Sequence, residues 1–272
     1  MSTVTSSPAS STGPRPLPDG HYGPLGVLRS EWTKLRSVRS TAWSLGATIG
    51  LSIAIGILAT VTEANRWSRL SAVERLRFDP TSQSLTGLLF GQLAVGVLVV
   101  SAEYSTGSIR TTLSAIPNRP AVLAAKVLVF GVVAVGVGVA SSLAAFIIGQ
   151  SLLTGAVPHA TLGEPGVLRA VVGGGLYLAV LGLFALGLAS IIRYTAGAIT
   201  AFVGAVLILP LVLQALPSSI QDAVGRYLPA NIGVVMTTVR SSSRVSGPIF
   251  SPWVGLAVLG GTRWSRSSPA GG

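Results

Sequence analysis

The chain contains no cysteine, so neither disulfides nor a cysteine-based metal site can hold its fold. Charge is almost as scarce. Asp, Glu, Lys and Arg make up 10% of the 272 residues, against about a quarter in an average soluble domain, too few to cover a soluble surface. Histidine occurs twice, at His21 and His159, far apart in polar stretches, and both read as solvated loop residues. Catalytic motifs are missing too. There is no G-x-x-x-x-G-K-[ST], so no P-loop binds ATP, and there is no G-x-S-x-G or H-E-x-x-H. No cofactor or metal site is expected.

What is present is apolar. Such residues make up 49% of the chain and mean hydropathy is positive. They cluster in blocks, the pattern of membrane spans of about 20 residues. Five blocks qualify, at about 41–61, 83–102, 121–153, 167–192 and 196–216. None carries a charge near its centre; Lys126, Arg169 and Arg193 lie near block ends, where long side chains can snorkel. A sixth block, 252–260, stops early and is too short to cross roughly 30 Å of hydrocarbon as a helix. The expectation is an all-α polytopic membrane helix bundle with five spans and a truncated sixth.

The flanks complete the organisation. Residues 1–24 are rich in Ser, Thr, Pro and Gly and lack the apolar centre of a signal peptide, which reads as a disordered tail. In 25–40, Leu25, Leu28, Trp32, Leu35 and Val38 form an apolar stripe, with Arg29, Lys34, Arg36 and Arg39 away from it. A basic helix with Trp on its apolar face lies in the membrane interface. A transmembrane domain then fills 25–260, and 261–272 is a polar tail.

The net charge of +11 would suggest nucleic acid in a soluble protein. Here the basic residues flank apolar blocks, so membrane lipids are the expected partner and nucleic acid is not. With the N-terminus cytoplasmic, the inner side holds Arg29, Lys34, Arg36, Arg39, Arg110, Arg119, Lys126, Arg193, Arg263 and Arg266, plus Arg15 in the tail. The outer side holds Arg66, Arg69, Arg75, Arg77, Arg169, Arg226, Arg240 and Arg244, partly offset by Glu63, Glu74 and Asp79. The modest inner excess sets that orientation.

The spans hold no Asp, Glu or His at depth, where ion-coupled transporters place their relays. Gln92, Gln150 and Gln214 read as hydrogen bonds across helices, with a substrate path as the alternative. Gly46 and Gly50 form a G-x-x-x-G, as do Gly87 and Gly91; Gly131, Gly136 and Gly138 lie in the third block, and Gly173, Gly174 and Gly175 open the fourth. Small faces of this kind serve packing within the chain or a dimer contact. The stretch EYSTGSIRTTLSAIPNRP, 103–120, lies on the inner side between the second and third blocks. It reads as a short segment that docks on a cytoplasmic partner, or as an ordinary polar loop.

Two stretches, LRSEWTKLRSVRSTAWSL at 28–45 and EYSTGSIRTTL followed by PNRP at 103–120, together with the span spacing from 41 to about 259, carry a family resemblance. The chain resembles the membrane-spanning permease subunits of bacterial ABC transporters of the type-2 exporter class, particularly actinobacterial-like forms. The resemblance implies a subunit without enzyme activity of its own, in the plasma membrane, paired with a second permease chain, identical or different. A separate ATP-binding subunit would supply ATP hydrolysis, which the missing P-loop fits. It further implies that the amphipathic helix before the first span, with Glu31, Lys34 and Arg36, and the loop after the second, with Glu103, Thr106, Gly107 and Arg110, contact that ATPase. The family pattern continues to a full sixth span and a short basic tail. This chain turns instead to GGTRWSRSSPAGG, as a frameshift or truncated gene model would leave it. A stand-alone secondary transporter or channel, a membrane enzyme and a non-transporting anchor are the alternatives.

Overall fold

The structure, a computed structural model, describes residues 39–105, 119–153, 157–192, 194–239 and 250–260, together with Gly26, Arg29, Trp32, Thr33 and Gly155. The described residues form helices and connections, with no strand among them. Helix α1 is Arg39–Arg66, α2 Pro80–Ser105, α3 Arg119–Leu152 and α4 Val167–Ile192. Helix α5 runs over Thr195–Gln214. These five are long and apolar enough to cross a membrane. Three short helices follow: α6 Ser218–Gly225, α7 Pro229–Thr237 and α8 Pro252–Leu259. Of the expected interfacial helix, Gly26, Arg29, Trp32 and Thr33 are helical and the Thr33 hydroxyl donates to the Arg29 carbonyl at 2.8 Å, one turn back. Residues 27, 28, 30, 31 and 34–38 lie outside the described residues.

Neighbouring long helices run antiparallel, and small residues set how closely they approach. On α1, Thr48, Ser52, Gly56 and Thr60 are buried at four-residue spacing, one face of a helix. That stripe meets α2 at Gly87, where a Cβ would stand 1.8 Å from the Ser52 carbonyl oxygen and 2.6 Å from the Gly56 nitrogen. Only glycine lets the two backbones approach so closely. The same device joins α3 to α4, where a Cβ on Gly175 would lie 2.5 Å from the Val139 Cα. These contacts fix the ends of the bundle. One end, called the tail end here, holds the starts of α1, α3 and α5 and the ends of α2 and α4. The other, the cap end, holds 67–79, 157–166 and the exit of α7.

Helix α5 is not uniform. Pro210 has no N–H and its ring crowds the carbonyl four residues back, and the helix widens to a π-helical turn over Gly204–Ile208. Leu207, Ile208, Leu209, Leu211 and Val212 around that turn are exposed.

Between the fifth and sixth blocks the described residues form two further helices, α6 and α7. Helix α7 enters the bundle beside α4. Ile232 and Met236 pack with Tyr177 and Leu181, a Cβ on Gly233 would meet the Tyr177 ring at 2.5 Å, and Met236 and Thr237 lie against Gly173 and Gly174. Tyr177 is ten residues into α4, about 15 Å from its start. The sequence PANIGVVMT is apolar, but nine residues fall far below a span, so length alone hides it. A helix beginning inside a bundle must satisfy its own amides. Pro229 at its first position removes one donor, and the Asn231 side chain donates to the Gly225 carbonyl at 2.9 Å. Before it, the Gln221 amide donates to the Leu216 carbonyl at 2.7 Å and the Gln214 carbonyl at 3.4 Å, covering groups that the end of α5 leaves open.

Helix α8 has eight residues, about 12 Å, and Leu256 and Leu259 pack on the α4, α5 and α7 core. Residues 261–272 lie outside the described residues.

Candidate functional site

Two polar assemblies stand out in an otherwise apolar bundle. The first is at the cap end, where α7 leaves. Asp79 caps α2: one carboxylate oxygen accepts from the Ser82 amide at 3.1 Å, and Pro80 follows at the first helical position, a common N-terminal signature. Its other oxygen accepts from the Val239 amide at 2.8 Å. One residue earlier, the Thr238 carbonyl accepts from the Arg169 guanidinium at 2.7 Å. An acid at the head of α2 and a base in the first turn of α4 thus clamp successive backbone groups at the exit of α7. Hydrogen bonds to charged groups are the stronger kind. The Arg169 Nη1 is buried and has no hydrogen-bond partner among the described residues.

Gln150 fastens the neighbouring loop. Its amide nitrogen donates to the Pro80 carbonyl at 3.0 Å and the Ser84 hydroxyl at 2.9 Å. Its oxygen accepts from the Ala160 amide at 2.7 Å. The loop then turns at Gly166, whose φ of +87° is in the left-handed region that favours glycine. Across this end, Trp67 and Phe78 meet edge to face at 5.1 Å, with the Arg75 guanidinium 5.6 Å from the Trp67 ring. The Glu74 carboxylate closes a capping box with Ser71. The Ser71 side-chain and backbone hydrogen bonds hold its pKa below the usual carboxylate range.

The second assembly is deep in the bundle. Tyr177 is fully buried on α4 and its hydroxyl donates to the Gln92 side-chain oxygen on α2. The Ser142 hydroxyl on α3 donates to the Val171 carbonyl on α4 at 2.6 Å. Ser52 Oγ is buried without a hydrogen-bond partner among the described residues. Among the described residues, the buried polar side chains inside the five spans are hydroxyls and amides, which register helices against one another, and no group of metal-ligating side chains occurs.

The predicted ATPase-contact residues Glu31, Lys34, Arg36, Thr106, Gly107 and Arg110 lie outside the described residues. Glu103 is in the last turns of α2, and its side chain lies outside the described residues. Of the glutamines, Gln92 and Gln150 hydrogen-bond across helices as expected. Gln214 does not: it is exposed and donates to the Pro210 carbonyl of its own helix at 3.3 Å. The two G-x-x-x-G motifs also part ways. Gly87 and Gly91 are buried against α1, whereas Cβ atoms on Gly46 and Gly50 would meet nothing within 4 Å. The Asp79 and Arg169 clamp escapes sequence reasoning because its partners are backbone groups 160 and 69 residues away. The Asp-Pro pair at 79–80 signals only the helix cap.

Comparison of the chain with protein-family models, with curated proteins and with solved structures finds no match.

Proposed function

We propose that the chain is the membrane-spanning permease subunit of an ATP-driven exporter of the type-2 ABC class. It sits in the plasma membrane with the tail end cytoplasmic, beside a second permease chain and separate ATP-binding subunits. One observation carries the reading. The antiparallel order of α1, α2 and α3 brings residue 39, the end of α2 and the start of α3 to the same end of the bundle. The described parts of the two stretches that resemble the family, 39–45, 103–105 and 119–120, thus belong to one end, which supports a contact with a single ATPase. The neutral interior supports a transporter driven by a partner's ATP hydrolysis over one coupled to ions.

The test is co-purification of the chain with an ATP-binding subunit carrying a P-loop, with ATPase activity measured in lipid vesicles. Reversing the charges, Glu103→Arg with Arg110→Glu, should weaken the complex and uncouple ATP hydrolysis. An intact complex with normal coupling would remove the 103–120 segment from the contact.

A further inference from the structure

The connection from α1 to α2 at the cap end combines cations with exposed apolar side chains. Arg66, Arg69, Arg75 and Arg77 stand there with Glu63 and Glu74, while Asp79 is buried on the Ser82 and Val239 amides. Two of the cations are engaged. Arg66 pairs with Glu63 at 3.5 Å. The Arg75 guanidinium donates to the Ser68 carbonyl at 3.1 Å and lies over the Trp67 ring. Arg69 and Arg77 are exposed, and their guanidinium groups have no ion pair or hydrogen bond among the described residues.

The apolar pair is on the helical turn Ala72–Leu76. Val73 and Leu76 are three residues apart and share a face, and they are 58% and 78% exposed. Arg77, four residues after Val73, falls on that face too. The Glu74 carboxylate is folded back on the Ser71 amide and hydroxyl, which leaves the two free cations without a local acid. With α1 as a span, the exposed Leu58 and Val61 lie in its outer hydrocarbon turns. Arg66 is five residues beyond Val61, about 7.5 Å, and the polar layer on each side of a bilayer is about 5–7.5 Å deep. Trp67, edge to face with Phe78, is of the residue type that marks this layer. Two apolar side chains are too small a patch for a stable protein contact. Flanked by free guanidinium groups, which suit phosphate oxygens, they match a surface that is anionic outside and apolar beneath.

We propose that residues 69–77 lie in the headgroup layer of the cap-end leaflet, with Val73 and Leu76 reaching the acyl chains and Arg69 and Arg77 on the phosphates of anionic glycerophospholipids. The inference rests on α1 as a span and not on transport, so it holds for a channel or an anchor equally.

The chain has no native cysteine, so a nitroxide on Leu76→Cys reports this face alone. The full chain is reconstituted in dioleoyl-phosphatidylcholine vesicles with and without dioleoyl-phosphatidylglycerol. Power saturation then measures collision of the label with oxygen and with a neutral nickel chelate. The label should meet oxygen and be shielded from the chelate, and the shielding should grow with phosphatidylglycerol. A label on Gly163→Cys, exposed in the other cap-end loop with open space around it, should meet the chelate in both lipids. Arg69→Gln with Arg77→Gln should remove the dependence on phosphatidylglycerol, whereas Arg69→Lys with Arg77→Lys should keep it, since the attraction is to charge. Val73→Cys gives the same reading should Leu76→Cys fail to fold. A label as open to the chelate as that on Gly163→Cys, a label shielded from oxygen and chelate alike, as beneath a covering protein, or a lipid dependence that survives in the glutamine pair would each overturn the proposal.

Discussion

Asp79 shows how much one side chain does at the cap end. Its two oxygens cap α2 and hold the exit of α7, so Asp79→Ala should cost more than an ordinary cap. The cap alone is worth about 1 kcal/mol, and the charged bond to Val239 should add about 1–3 kcal/mol. Asp79→Ser should restore the first part only, which chemical unfolding in detergent resolves. Tyr177→Phe is the milder case. It removes the hydroxyl that donates to Gln92 and keeps the ring against Gly233, so a loss of about 0.6–1.7 kcal/mol is expected, as for other hydrogen bonds between membrane helices. Gly87→Ala brings a Cβ onto the Ser52 carbonyl and forces α1 and α2 apart. Its expected cost is about 1–3 kcal/mol, whereas Gly46→Ala, with open space around it, should leave the melting temperature unchanged. Equal effects at the two glycines would show that α1 and α2 do not pack through Gly87.

At the scale of elements, length and composition predict the long helices well. The expected spans and the observed helices agree to within a few residues, and 167–192 coincides with α4. The misses share a physical cause: each depends on contacts between distant residues. The nine residues of α7 cannot announce that they pack beside Tyr177, and the G-x-x-x-G at 46–50 reads the same as the one at 87–91 although only the second meets another helix. Local rules succeed where the partner is local. Ser71 and Glu74 form a capping box within four residues, and that box carries a pH dependence. Because the folded carboxyl has its pKa depressed, its contribution is fully present above the ordinary carboxylate range and is lost as pH falls through the lowered value. Amide exchange at Ser71 and Glu74, expressed as protection relative to the intrinsic rate at each pH, should therefore hold through neutral and mildly acidic pH and weaken only on strong acidification; a loss of protection already at mildly acidic pH would contradict the capping role. In α5, Pro210→Ala should let the π-helical turn relax to regular α-helix, rotating the residues before 204 relative to those after 208, visible as altered labelling of single cysteines placed on the exposed face.

For the molecule as a whole, the two ends differ in kind. The cap end is tied to loops and to α7 by Gln150 of α3, Arg169 of α4 and Asp79 just before α2. The tail end holds the described ends of the two stretches, 39–45 and 103–105 with 119–120, on which the proposed ATPase contact rests. If transport is the function, charge reversal at 103 and 110 should affect coupling and leave thermal stability near wild type, while Asp79→Ala should lower stability first. A loss of stability from the tail-end reversals equal to that from Asp79→Ala would contradict this division.

The position of α7 has a consequence for how the chain is made. A segment that starts in the interior and runs outward is too short to partition into lipid by itself, and its partners lie on α4 first and on α2, α5 and α8 beside it. It can therefore seat only after α4 is standing, which makes the C-terminal third a late step of biogenesis. Since the chain has no native cysteine, Met236→Cys would report that step alone. The thiol should be open to a membrane-permeant reagent in nascent chains and closed once the clamp of Asp79 and Arg169 has formed, and a thiol closed from the outset would show that α7 seats as it is synthesised.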